Sequence, residues 1–244
     1  MIKDASISTI LLNSESAPII KKYVQSTDIR KWGIKNEGRY YLVGTFPALK
    51  LNIDNYPTLK KYLLSFGIEK LEQTGEKRII NGELIEARKK TSNKWFETQD
   101  QIAYYAEFEK SKLIYIHTAK DHQFYFDTEG HYINNSCYMI VTDSKFLFCF
   151  LNSKLFKYYK QIKFVAYGDG QEAGRCKLDY NKMTTVPIKC DVDEEPFERL
   201  YNKTKSIKAS NPEADISALE SEIDRLVYQL YGLTEEEIKI VEQS

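Results

Sequence analysis

Lys112-Leu113-Ile114-Tyr115-Ile116-His117 and Phe124-Tyr125-Phe126-Asp127 are two short runs of β-branched and aromatic residues, joined by the polar tip Thr118-Ala119-Lys120-Asp121-His122-Gln123. Runs of this kind bounded by polar turns read as paired strands. Upstream lies a basic stretch ending in an aromatic pair, Arg88-Lys89-Lys90-Thr91-Ser92-Asn93-Lys94-Trp95-Phe96, followed by Tyr104-Tyr105 and Phe108. Downstream come a Glu129-Gly130 turn, Tyr132-Ile133-Asn134-Asn135-Ser136 and the apolar Cys137-Tyr138-Met139-Ile140-Val141. The region from Asn93 to Ser153 therefore predicts a small sheet. Its connecting tips carry side chains able to hydrogen-bond base edges or phosphates.

With 244 residues, the chain can bury a sizeable core as one large domain or as one domain and an appendage. Hydrophobic residues at 42% and charged ones at 29% give an ordinary globular profile. The 18 tyrosines suit both a core and a nucleic-acid groove, and their number does not choose between them. Lysine plus arginine equals aspartate plus glutamate at 35 each, so any contact with nucleic acid has to come from local clusters. Cys137, Cys149, Cys176 and Cys190 form no Cys-x-x-Cys pair, and His117, His122 and His131 have no zinc-site spacing with them. No apolar run approaches the ~20 residues that span a bilayer, and no signal peptide is visible. Dispersed cysteines then favour a reducing cytoplasm.

Toward the N-terminus, Ile7, Ile10, Leu11 and Leu12 predict a strand or an entry linker over residues 2–12, and residues 13–18 a turn. Tyr40-Tyr41-Leu42-Val43-Gly44 predicts a strand. A helix starts at Pro57, carries Leu59, Tyr62, Leu63 and Phe66 on one face, and stops at Gly67. Toward the C-terminus, Phe146 to Ile162 predicts one helix, with Leu147, Leu151, Leu155 and Ile162 at helical spacing. The glycine-rich Tyr167 to Lys177 is a loop; it lacks the pattern of a phosphate cradle. Asp191, Asp193, Glu194, Glu195 and Glu198 mark a change in composition. Beyond them, Glu194–Lys205 reads as helical. A further helix beginning at Pro212 presents Ile216, Leu219, Ile223, Leu226 and Leu230 on one face, and Thr234-Glu235-Glu236-Glu237 opens a last short one.

Several segments, taken in order, resemble one family. Arg-Lys-Lys-Thr-x-x-Lys-Trp-Phe-Glu from Arg88, Ala-Tyr-Tyr-x-x-Phe-Glu-Lys-x-Lys-Leu-Ile-Tyr from Ala103, Glu-Gly-x-Tyr-x-x-Asn-Ser-Cys-Tyr from Glu129 and Leu-Asn-Ser-Lys-Leu from Leu151 are similar to the TaqI-like C-terminal specificity domain. That domain is the target-recognition part of adenine-N6 DNA methyltransferases and of fused type IIG restriction-modification enzymes. Ile19 to Trp32 partly resembles the family's Lys-Pro-Phe-Leu-x-Gly-x-Asp-Ile, with Lys22 and Ser26 replacing the proline and glycine. Asp28 in that segment reads as a cap or turn residue. Thr185-Val186-Pro187-Ile188 resembles the family's closing Leu-Pro-Ile-Pro, and Glu222 to Ile238 resembles the end of type IIG enzymes.

The resemblance implies double-stranded DNA as a partner, together with a methyltransferase or endonuclease domain or subunit, and no membrane. Lys77, Arg78, Arg88, Lys89, Lys90 and Lys94 are the candidates for phosphate contact; a charge run is commonly a solvated face, but this one immediately precedes Trp95. Thr118, Lys120, His122 and Gln123 in the tip, with Gln171 and Arg175 in the glycine-rich loop, are the candidates for base readout, set against ordinary surface turns.

No catalytic set is legible. The family's methyltransferase half holds a flipped adenine with an Asn-Pro-Pro-Tyr-type motif, whereas Asn211-Pro212-Glu213-Ala214 lacks the second proline and the aromatic. Asp127 with Asp143-Ser144-Lys145 has the outline of a metal-dependent nuclease, but so short a pattern arises by chance. The chain is thus expected to hold no cofactor or metal, with S-adenosylmethionine and Mg belonging to the catalytic part of the full system. The expected fold is α+β: a target-recognition domain of small sheets and packed helices over residues 1–190, then a helical appendage over 191–244. The leading function is sequence-specific DNA recognition, directing a catalytic part upstream in the chain or on another subunit. The alternatives are an enzyme with a site invisible to motif reading, and an interaction domain docking a partner through its C-terminal helices.

Overall fold

The computed structural model describes residues 5–35, 37–166 and 174–244. The helices among them are α1 (Ala5–Leu12), α2 (Pro57–Leu64), α3 (Ile68–Leu71), α4 (Lys145–Leu151), α5 (Lys154–Lys163), α6 (Tyr180–Met183), α7 (Glu195–Ser210), α8 (Ser217–Tyr231) and α9 (Glu235–Glu242). The strands begin with β1 (Ile20–Val24), β2 (Ile29–Arg30), β3 (Gly33–Ile34), β4 (Tyr41–Val43), β5 (Lys77–Ile80) and β6 (Glu83–Glu86). They continue with β7 (Lys112–Ile116), β8 (Thr118–Ala119), β9 (Phe124–Asp127), β10 (Tyr132–Ile133), β11 (Cys137–Val141) and β12 (Cys176–Lys177). The fold is α+β, as expected. Its contacts divide it into two units, one of residues 1–23, 37–109 and 130–132, the other of 24–36, 110–129 and 133–244.

The first unit is built on Leu11, Ile19, Ile20, Ile53, Leu59 and Phe96. Residues 5–12, read from sequence as a strand or linker, are helical, because Ile7 and Leu11 recur at i,i+4 and share one face. β1 pairs antiparallel with β4, Ile20 opposite Val43. Asn81 and Gly82 both take positive φ, which closes β5 and β6 into a two-residue hairpin.

In the second unit β7 is the middle strand, with β11 on one side and β9 on the other. Leu113 faces Phe126 and Tyr115 faces Phe124 across the β7–β9 pair, all four buried in the main core. The alternate residue Ile114 lies in a second cluster with Val24, Ile29 and Cys137, so β7 is covered on both faces. Lys112 and Asp127 are cross-strand partners and form an ion pair with neither side chain exposed. Leaving either charge without the other would cost about 3–5 kcal/mol, so they act as one unit.

The helix expected over Phe146–Ile162 is two helices. Ser153 caps α5 by accepting from the Phe156 amide, and Asn152 turns its side chain to β9, accepting from Phe124 N (3.1 Å) and donating to Phe124 O (2.9 Å). Short polar side chains compete in this way with the helical backbone. On α4, Phe146, Phe148, Cys149, Phe150 and Leu151 are all buried, which a helix tolerates only when enclosed on every side. α7 and α8 supply that cover: Phe197 meets Phe146, Tyr201 meets Phe148, and Tyr231 stacks on Phe150. The boundary expected after residue 190 therefore runs inside this unit. α7 extends to Ser210, and Asn211-Pro212 forms the turn before α8 instead of starting a helix.

Candidate nucleic-acid interface

The two loops proposed for base readout meet in the second unit. Thr118–Ala119 and Cys176–Lys177 pair antiparallel as β8 and β12, Ala119 opposite Cys176 and Thr118 opposite Lys177. The Leu178 amide adds a bond of 2.7 Å to the His117 carbonyl. Lys120 and Lys177 are exposed beside this ladder, while Thr118 and Arg175 are half-buried. The Thr118 hydroxyl lies 2.7 Å from His117 Nδ1. Gln171 lies outside the described residues.

Two tip residues serve a different purpose. His122 is 8% exposed, and its Nδ1 is 3.2 Å from Lys160 Nζ, which also donates to the Lys120 carbonyl at 2.8 Å. Burial, and secondarily the Lys160 charge, depress the imidazole to about 3, so the ring is neutral at physiological pH. Lys160 has only protons to offer, which assigns Nδ1 as acceptor and puts the ring proton on Nε2. Burial likewise lowers the Lys160 ammonium, with Asp121 opposing the shift. Gln123 Oε1 accepts from the Lys31 amide at 3.0 Å. Lys31 Nζ in turn pairs with Glu220 of α8 at 3.0 Å, and Trp32 Nε1 donates to the same carboxylate at 2.9 Å. Burial alone would raise Glu220; the Lys31 charge and these hydrogen bonds outweigh it and lower the carboxyl. The buried His122 and the half-buried Gln123 thus hold the tip's shape through these contacts. Sequence reading missed Lys31, Asn152, Lys160 and Glu220 as its supports, because nothing local couples residues so far apart in the chain. Asp121 and His122 also border a cavity of about 80 Å³ with Ser153, Lys154, Lys157 and Lys160.

The phosphate candidates all lie in the first unit. The half-buried Arg88 donates from its guanidinium to the Glu97 carbonyl, and burial lowers its proton affinity. Gln73 Nε2 ties the same loop together through Lys94 O (3.0 Å) and Glu97 O (2.9 Å), and the Thr91 hydroxyl donates to Gln73 Oε1 at 2.7 Å. Lys94 Nζ reaches the Leu51 carbonyl at 3.1 Å. Much of the Arg88–Glu97 motif is therefore occupied in folding its own loop. Lys77 pairs with Glu86, and Arg78 with Glu76. Lys89 and Lys90 remain exposed.

The nuclease outline has structural employment as well. Asp127 is enclosed with Lys112, Ser144 caps α4, and Lys145 Nζ sits 3.8 Å over the Phe126 ring. Among the described residues no helix is long and apolar enough to cross a membrane.

Residues 21–188 match the family model of the TaqI-like C-terminal specificity domain. The chain belongs to this family. As a TaqI-like specificity domain, it is a DNA-specificity module of a restriction-modification enzyme, concerned with target recognition. The matched span of the TaqI-like domain includes both readout loops and the whole basic stretch, and ends just before the acidic run. No curated protein matches the sequence.

Proposed function

We propose that this specificity domain reads a short sequence in duplex DNA and delivers it to an adenine-N6 methyltransferase or an endonuclease, in a type IIG-like arrangement. The catalytic part lies upstream in the same polypeptide or on another subunit, and holds the S-adenosylmethionine and Mg. The observation that carries the reading is the β8–β12 ladder, which joins two loops 57 residues apart into one polar, basic edge within the family-matched span. Thr118, Lys120, Lys177 and Arg175 are the base-contact candidates on it, and Gln171 belongs to the same loop. Arg or Lys pairs with guanine O6 and N7 in the major groove, while phosphate contacts from residues such as Lys89 and Lys90 hold the register. The docking alternative draws less support, since Ile223 and Val227 of α8 are buried in the unit's own core.

The test is selection of bound duplexes from a randomised pool. One recurring motif is expected. Arg175→Ala should relax preference at a single base pair by about 1–3 kcal/mol and leave the other positions alone. Recovery of no motif, or uniform weakening at every position, would remove these loops from the readout.

A further inference from the structure

The β5–β6 hairpin carries an apolar pair in water. Ile79 and Leu84 stand opposite each other across the ladder, next to the Asn81-Gly82 turn, and are 77% and 67% exposed. Lys77 and Glu86, on the same face, form an ion pair at 3.2 Å. The alternate residues Ile80 and Ile85 are half-buried, and β6 packs on α3, so the ribbon is anchored by its other face. Single exposed aliphatics are ordinary; a matched cross-strand pair at the tip of a ribbon is less so.

From this we infer that Ile79 and Leu84 enter the DNA major groove and contact thymine methyl groups. The inference rests on the chain's being a DNA reader. A two-stranded ribbon fits a groove about 12 Å wide and is excluded from one about 6 Å wide. In the major groove the thymine C5-methyl is the apolar group on offer, and an apolar side chain is its partner. Charge agrees with a polyanion as the occupant: residues 76–90 hold five cations and three carboxylates, and Lys89 and Lys90 are exposed where the chain leaves the ribbon. Lys77 and Arg78 are offset by Glu86 and Glu76, so the charge open to a polyanion is that of Lys89 and Lys90.

The experiment uses the full chain and a duplex recovered from the randomised pool, made once with thymine and once with deoxyuridine throughout. The chain should bind the thymine duplex more tightly, by about fourfold for each methyl buried. The double variant Ile79→Ser/Leu84→Ser should bind both duplexes alike, at the level of the deoxyuridine form, with its thermal midpoint near that of the parent. Equal binding of the two duplexes by the parent chain overturns the inference even if the variant fails to fold. A variant that keeps the thymine preference also overturns it. In both cases binding itself persists, so the DNA-reading function stands; absence of binding to any duplex would remove both.

Discussion

His122 shows how burial redirects a residue that is chemically fit for base contact. An imidazole in solution titrates near 6.5, whereas in this fold it is held to about 3 by desolvation and the Lys160 ammonium. The folded pKa lies below the unfolded one, so between the two values the unfolded chain binds the extra proton. Stability is whole above pH 6.5 and declines as pH falls toward 3, by up to about 1.4 kcal/mol per pH unit. His122→Gln abolishes that loss. The stability difference between parent and variant should therefore shrink from pH 7 to pH 4.5 when followed by thermal melting. Parallel profiles would mean the ring titrates normally in the folded protein. At the same scale, Glu220 and Asn152 act through others: one holds Lys31 beside Gln123, the other grips Phe124 through both backbone groups.

At the scale of elements, the basic stretch divides into two functions. Arg88 belongs to the loop closed by Gln73 and Glu97. Arg88→Ala leaves the Glu97 carbonyl without that donor and should lower stability by about 1–3 kcal/mol, with the salt dependence of DNA binding unchanged. Lys89→Ala with Lys90→Ala should do the reverse: unaltered thermal stability, and a salt slope flattened by up to about 0.9 log units per lost phosphate contact. Denaturation and binding titrations at several salt concentrations separate the two. If the lysine pair leaves the slope as it was, this stretch does not lie on the DNA backbone.

For the molecule as a whole, the C-terminal helices complete a core. Phe197, Leu200 and Tyr201 of α7 and Ile223 and Val227 of α8 are buried with the aromatic residues of α4 and the inner face of the β7–β9 pair. A chain ending at residue 190 would expose that surface, and each large side chain left uncovered forgoes about 1.5–3 kcal/mol of burial. With domain stabilities of only about 5–15 kcal/mol, the truncated second unit should lose its cooperative transition and its near-ultraviolet dichroism. A truncated chain that melted cooperatively in both regions would restore a domain boundary after residue 190.

The sequence alone determined whatever depends on neighbours in the chain. The α+β class, the β7 and β9 strands, the helix from Pro57, the capping box at Thr234 and the family resemblance were all legible, because strand alternation, helical spacing and cap chemistry act over a few residues. Locality also explains the failures. Ile7 to Leu12 was too short for its period to show, and Asn152-Ser153 broke a helix through a bond to a strand 28 residues away. Only the tertiary structure decided that two strands of two residues each would pair as β8 and β12. Only it buried His122, joined Gln123 to the Lys31 amide, tied Arg88 to Glu97 and left Ile79 and Leu84 outside. Two-residue strands carry no periodic signal, and a polar side chain reads the same in sequence whether it faces water, DNA or a buried carbonyl. Which of these it meets is fixed by the packing of distant segments.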